Sequence, residues 1–413
     1  MNLSQYAAKM LSVPLSELPL NHVDLCLINE LAYLPMDEVA EHHRGFARGI
    51  SAAQILQEFQ AEPSLRANWF LVTSNRVNLL KLVASSPRFA GLRFFDYEAR
   101  LDVAEQVQFA ALTAVLPGVF RQVIFRGTDD SLVGWKEDFR LALRPAIAAQ
   151  TLASAYLEAN LAQEAKTPIY VTGHSKGGNL AIYAASTVSK TARTRISEVL
   201  AFDAPGFSPA FLETEGYRAA LLKLTEYIPQ DSMVGRCMSR AGTPTVVHSG
   251  AVGLIQHSIF TWHTDSEGGF ITEEAPSLTS DRMDRVTDAW VEQHSPEDIE
   301  AVIDTLFDLA LGEGYTSLLD IGQNLVPFIQ VMKAKTAELE PDTATRVQGI
   351  LDDFLVLWRA DKAEQKELNK KEAPARLSDF LNLPGAVPSL TTHALVERAR
   401  ELPRQLPRRA HRS

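Results

Sequence analysis

The sequence predicts an α/β fold with a mostly parallel central sheet, a helical N-terminal segment and a helical C-terminal extension. Three observations predict it. Short apolar runs alternate with helical stretches over roughly residues 107–229, the pattern that places parallel strands in one sheet with helices on both faces. A glycine-rich turn, Gly173-His174-Ser175-Lys176-Gly177-Gly178, joins one of those runs directly to a small-residue helix. Beyond about residue 275 the strand-like runs give way to apolar residues at helical spacing.

Taken in order, Val107 to Val115 and Arg121 to Phe125 flank Pro117-Gly118 and read as an antiparallel hairpin leading into the core sheet. Pro168 to Thr172 (PIYVT) is a strand, followed by a helix from about Lys176 to Ser189. Ile196 to Asp203 is the next strand, then a helix opened by Ser208, then a strand over Leu221 to Pro229. Ser295-Pro296-Glu297-Asp298 starts a helix: a serine cap, proline in the first turn and acids at the positive end of the dipole. Its stripe of Ile299, Val302, Ile303, Leu306 and Phe307 and the later stripe of Val347, Ile350, Leu351, Phe354, Leu355 and Trp358 are packing faces.

At 413 residues the chain holds two to three average domains, or one large domain with additions. Apolar residues make up 46% and charged residues 22%, which argues against disorder, a collagen-like chain or a coiled coil. A net charge of −11 argues against non-specific nucleic-acid binding. The balance reverses from His393 to Ser413, where Arg398, Arg400, Arg404, Arg408, Arg409 and Arg412 face Glu397 and Glu401. This basic tail is expected to be a solvated end, with weak contact to a membrane surface as the alternative. Cys26 and Cys237 cannot make a disulfide scaffold and are expected to be reduced thiols, although one bridge between them stays open. The N-terminus shows no secretory signal, and the uncharged stretch from Ala241 to Thr264 is interrupted by Pro244 and three histidines, so a cytoplasmic protein without a transmembrane segment is expected.

The chemistry centres on Ser175. In a G-x-S-x-G turn between strand and helix, the glycines let the backbone bend sharply, so that the serine hydroxyl stands above the sheet. A serine is a weak nucleophile unless a base, held by a third group, takes its proton. In this arrangement the chain order is serine, acid, histidine. Asp231 ends the strand LLKLTEYIP and is the expected acid; Asp203, in LAFDAPG, is the rival, with a turn-forming role before Pro205-Gly206 as its other explanation. His257 is the expected base, with His248 and His263 as alternatives whose spacing does not suit zinc, so no metal and no cofactor are expected. The backbone N–H of Lys176 and that of Thr128, in RQVIFRGTDDS, are the expected oxyanion donors, with the Thr128 hydroxyl as a possible third.

Phe125 to Phe139 (FRGTDDSLVGWKEDF) and Val171 to Ala181 (VTGHSKGGNLA) together resemble the class 3 lipases, which pair an RGT-like oxyanion loop with W-x-x-D and a GHSxGG elbow. They resemble more closely a bacterial family of uncharacterised lipase-like α/β-hydrolases carrying GHSKGG, with LNHVDLCLINELAYLP, FDAPGF and QHSIFTW extending the match. The resemblance covers about residues 20–320; the strand, helix and charge patterns divide the chain into an α/β-hydrolase domain over residues 1–275, a helical extension over 276–360 and a charged linker and tail over 361–413. The resemblance implies Ser175, Asp231 and His257 as the triad, Thr128 and Lys176 at the oxyanion hole, and supporting roles for His174, Trp135 and Asp138. A cation at Lys176, where lipases usually carry an apolar residue, suits an anionic substrate or points into solvent. The expected activity is hydrolysis of carboxylic esters, with lipid or thioester acyl groups as substrates. The alternative is a catalytically weak lipase-fold scaffold that binds partners.

Overall fold

The computed structural model describes residues 1–61, 73–102, 105, 107–128, 132–163, 166–315, 325–350, 352–354 and 356–361. The expectations for the linker and basic tail from residue 362 onward lie outside the described residues. By its internal contacts the chain divides into two units, residues 1–352 and 353–413; the described residues of the second are helical. The first unit runs α1 (Leu3–Met10), α2 (His22–Glu30), α3 (Asp37–His42), β1 (Ile50–Ser51), α4 (Ala52–Ala61) and α5 (Thr73–Ala84), then β2 (Arg93–Asp102), β3 (Val107–Leu116) and β4 (Phe120–Phe125). It continues with α6 (Leu132–Leu143), α7 (Ala148–Ala162), β5 (Ile169–His174), α8 (Lys176–Thr187), α9 (Lys190–Thr194), β6 (Glu198–Phe202), α10 (Pro209–Leu212), α11 (Glu215–Leu221), β7 (Leu224–Pro229) and β8 (Thr245–Val247). Two long helices follow, α12 (Leu278–Gln293) and α13 (Pro296–Gly312).

The eight strands lie in one sheet in sequence order. β1 to β4 pair antiparallel, and β4 to β8 pair parallel, so six of the eight strands run in one direction and the sheet is mostly parallel. Alternate side chains divide between two cores, as a two-residue strand period requires. Leu112, Ala114, Ile124, Leu200 and Phe202 join the core under α1, α2 and α5, whereas Val123, Phe125, Val171, Val199 and Ala201 join the one under α7, α8 and α11. Strands covered on both faces read as unbroken apolar runs, which is why β3 to β6 are visible in the sequence.

The register aligns the carboxyl ends of three neighbours. Phe125 of β4 lies beside Gly173 of β5, and His174 of β5 lies beside Phe202 of β6. The next residues of all three strands therefore emerge together at one edge of the sheet, the usual place for a site in an open α/β sheet. Across that edge, α13 is fastened to α6 by Lys136–Asp308 at 2.7 Å, Lys136–Asp304 at 3.2 Å and Arg140–Asp304 at 2.8 Å. α12 is fastened to the loop after β7 by Arg236–Asp281 at 3.2 Å and by the Ser280 hydroxyl donating to the Ser232 carbonyl at 2.5 Å. Among the described residues no helix is long and apolar enough to cross a membrane.

Candidate active site

Ser175 sits between β5 and α8 with φ +59° and ψ −134°, a conformation that side-chain-bearing residues rarely adopt and that costs of order 1–3 kcal/mol. The bend is possible because its neighbours lack side chains. A Cβ on Gly173 would lie 2.0 Å from the Gly177 carbonyl oxygen, and one on Gly177 would lie 2.1 Å from that of Phe125. The Ser175 N–H donates to the Phe202 carbonyl at 2.9 Å, which ties the turn to β6. Strand, turn and helix thus hold the serine half-exposed above the sheet, as a nucleophile elbow does.

His257 comes to this turn on a short 3-10 segment, Gly253–His257. His174 Nε2 donates to the His257 carbonyl at 2.9 Å, and the two rings lie 4.6 Å apart, so the histidine is held beside the residue preceding Ser175. Its Nδ1 meets Asp203 Oδ2 at 2.6 Å. The expected acid, Asp231, is not the partner. Asp231 Oδ2 accepts from Gln256 Nε2 at 3.1 Å and from the Gly253 N–H at 3.3 Å, so it braces the loop that carries His257 without reaching the ring. The physical reason is strand adjacency: β6 is hydrogen-bonded to β5 and β7 is one strand further away, so the residue ending β6 stands nearer Ser175. Asp203 is buried, and its other oxygen accepts from the Ser232 hydroxyl at 2.5 Å and the Gly235 N–H at 3.0 Å. The rivals for the base lie apart from this pair; His248 Nδ1 meets Glu273 at 2.6 Å, and the His263 ring packs on His248.

The loop after β4 closes against the turn. A Cβ on Gly127 would lie 2.4 Å from the Tyr33 hydroxyl, 2.6 Å from the His174 carbonyl and 3.0 Å from Ser175 Cβ. Tyr33 clamps the two segments, accepting from the Gly127 N–H at 3.0 Å and donating to the His174 carbonyl at 2.9 Å. The Thr128 hydroxyl donates to Asp138 Oδ2 and is committed there, which leaves the backbone N–H as the donor Thr128 can offer a ligand. Lys176 opens α8, where the helix itself supplies no acceptor for its N–H.

The Lys176 ammonium corrects a second expectation. It neither faces solvent nor stands ready for an anionic substrate. It is buried, and donates to Glu137 Oε2 at 2.9 Å, to Gln108 Oε1 at 2.6 Å and to the Gln108 carbonyl at 3.1 Å, with Asp138 at 3.4 Å. Burial pushes the Asp138 carboxyl up to about 6, against the lowering effect of Lys176 and Thr128 and with help from Glu137. The group that anchors the Thr128 loop therefore changes charge near pH 6.

Beneath His174 lies a buried carboxylate that sequence reasoning did not single out. Glu30, at the end of α2, meets His174 Nδ1 at 3.3 Å and Arg76 of α5 at 2.7 Å. Burial alone would raise its pKa, but Arg76 and His174 outweigh it and hold the group at about 2, down from 4.5. Burial also lowers the pKa of His174, with Glu30 opposing. A carboxylate with a depressed folded-state value stabilises the protein above its unfolded value, and that stability is lost as pH falls from 4.5 through 2. Glu30→Gln is expected to flatten the acid limb of a stability–pH curve by roughly 3 kcal/mol, measured by urea unfolding at each pH. Parallel curves for the two proteins would refute the assignment.

A cavity of about 440 Å³ opens at Ser175. Trp135 and Phe139 of α6, Phe207 and Met238 of the strand-end loops, Trp290 of α12 and Ile303 of α13 give it apolar walls. Cys237 also lines it; Cys26 and Cys237 are both free thiols. Burial, and then the charge of Asp203, pushes the Cys237 thiol up to about 11, so it stays protonated near neutral pH.

Among solved structures, the chain resembles a triacylglycerol lipase whose catalytic centre is described as a serine-protease triad, at 14% identity and a TM-score of 0.33, over 55% of this chain and 80% of that one. It also resembles the Rhizomucor miehei lipase propeptide complex, at 14% identity and 0.31, over 57% and 77%. A third is the lipase from Rhizopus microsporus var. chinensis, at 12% identity and 0.30, over 66% and 84%. No curated protein matches the sequence. The Mbeg1-like family model matches residues 83–308, which is more than half of the sequence and contains the elbow, Asp203 and His257. The chain belongs to the Mbeg1-like family, a lipase-like family.

Proposed function

We propose that the protein is a serine hydrolase of carboxylic esters, with Ser175 as nucleophile, His257 as base and Asp203 as the acid that orients it. The observation that carries this reading is the 2.6 Å bond from His257 Nδ1 to a buried aspartate on the strand next to the elbow. An aspartate carboxylate accepts, so the Nδ1 proton lies toward Asp203 and Nε2 keeps its lone pair for the Ser175 hydroxyl. Ser175 Oγ then attacks the acyl carbon as Nε2 takes its proton. The tetrahedral oxyanion accepts from the N–H groups of Thr128 and Lys176, and the proton on Nε2 passes to the departing alcohol or thiol. Water, deprotonated by the same histidine, attacks the acyl-enzyme and releases the acid.

The size and apolar walls of the cavity suit the acyl part of a small ester, lipid or thioester. The scaffold alternative drew on a cation at position 176 and on the helical C-terminal addition; that cation is satisfied internally by Glu137 and Gln108. The test is a panel of p-nitrophenyl esters from acetate to palmitate with the purified protein. Turnover of at least one member, reduced by about 10³-fold or more in Ser175→Ala, is the expected result. A folded protein that cleaves none, or a Ser175→Ala variant as active as the parent, contradicts the proposal.

A further inference from the structure

We propose that the cavity at Ser175 selects an acyl ester bearing a positively charged ammonium group and rejects one bearing a carboxylate or phosphate, with Asp288 and Glu292 as the residues that set this specificity. The inference rests on the esterase reading above and adds a substrate class to it.

The charged groups lining the cavity are Asp138, Lys176, Asp288 and Glu292. The single cation among them is internally neutralised. The Lys176 ammonium is 1% exposed and held between Glu137 and Asp138, so it offers an anionic substrate no partner. Asp288 and Glu292 are four residues apart on α12 and so share one face of that helix. Neither forms an ion pair among the described residues. Arg236, the cation on the facing loop, is engaged by Asp281 and Asp284. Partial burial, and then the charges of Asp284 and Glu292, push the Asp288 carboxyl above its ordinary value, against the smaller opposing effect of Arg236. A cation entering the cavity relieves that crowding, and an anion adds to it.

Two tryptophans complete the chemistry. Trp135 of α6 and Trp290 of α12 line the same cavity as the acids, and Trp290 is fixed by its Nε1–H donating to the Ile350 carbonyl at 2.9 Å. Indole faces attract ammonium groups and carry apolar area for the methylene or methyl groups around the nitrogen. The cavity thus combines an apolar surface, aromatic rings and a net negative lining in the space that opens at Ser175.

The experiment uses the full chain and three butyryl thioesters that differ in the leaving thiol: thiocholine, which is cationic, thioglycerol, which is neutral, and 3-mercaptopropionate, which is anionic. Hydrolysis adds water across the thioester and releases butyrate and the thiol, which a disulfide dye reads. The expected kcat/KM order is cationic, neutral, anionic, with about tenfold or more between the extremes at low salt. That ratio is expected to fall below about threefold in Asp288→Asn/Glu292→Gln and to invert in Asp288→Lys/Glu292→Lys, with circular dichroism checking the fold of each. Equal or faster cleavage of the anionic thioester by the parent protein overturns the proposal, as does an order that survives both double variants. Either result leaves the esterase reading standing, whereas failure to cleave all three, together with no cleavage across the p-nitrophenyl panel, removes that reading and the proposal with it.

Discussion

Asp203→Asn is expected to lower kcat/KM for any ester the protein cleaves by about 10³- to 10⁴-fold, and Asp231→Asn by less than about tenfold. The contrast follows from geometry. Asp203 receives the Nδ1 proton of His257 at 2.6 Å and is positioned for it by Ser232 and Gly235. An asparagine there can present its amide N–H₂ to Nδ1, which favours the tautomer with the proton on Nε2, and Nε2 then cannot act as the base. Asp231 holds Gln256 and Gly253 instead, so its replacement loosens the histidine loop while leaving the Asp203 bond intact. Steady-state rates for both variants, with thermal unfolding as a control, measure this. A larger loss in Asp231→Asn than in Asp203→Asn would mean that the acid was assigned to the wrong strand.

Lys176→Met is expected to destabilise the protein by about 3–5 kcal/mol. Lys176 and Glu137 are 1% and 2% exposed, and their 2.9 Å contact has no water to replace it when one partner is removed. Methionine fills much of the volume but leaves the Glu137 carboxylate buried with the Gln108 N–H at 3.1 Å as its one remaining donor among the described residues, and deprives Asp138 of its nearby cation. Removing the second charge as well is the informative step. Lys176→Met/Glu137→Gln is expected to recover more than half of the loss, because a buried pair replaced by neutral groups often costs little. Urea unfolding of the single and double variants gives both values; a double variant as unstable as the single one would show that the carboxylate was not the source of the cost.

The contrast between Asp203 and Asp231 also shows where sequence reasoning stops. Both end an apolar strand, and Asp203 had a second explanation in the turn before Pro205-Gly206. What separates them is which strand is hydrogen-bonded to β5, a pairing that no local pattern encodes. Asp203 adopts φ +45°, a backbone constraint equally invisible in the letters. Lys176 poses the same difficulty. A lysine following the nucleophile reads as exposed, and its burial depends on Gln108, 68 residues away, and on Glu137. Glu30, Tyr33 and Arg76 come from α2, the turn after it and α5, and become a support for His174 and Gly127 only when those helices lie on the sheet.

The legible parts were those with strong local causes. The hairpin of β3 and β4 turns at Gly118 with φ +77°, as Pro117-Gly118 predicts, and α13 begins at Pro296 under a Ser295 cap. Strands β5 and β6 appear where apolar runs predict them, because both faces are buried; β7 is half-buried and begins at Leu224, after the helix that takes up the predicted start at Leu221. β2 was missed for the opposite reason. Its sequence, RFFDYEARLD, has an exposed, charged second half and a break in register between Phe95 and Glu98, so neither alternation nor an apolar run marks it. α12 was missed too. Asp284 and Asp288 interleave with its apolar residues and obscure the helical stripe that Val286 and Trp290 would otherwise trace.

The central claim is that Ser175 is an activated nucleophile, and a fluorophosphonate probe tests it most directly. The purified protein is expected to gain one covalent adduct, located on Ser175 by peptide mass spectrometry and absent in Ser175→Ala, with labelling slowed strongly in His257→Ala. A folded protein that takes up no probe, or an adduct on another residue that persists in Ser175→Ala, would contradict the account.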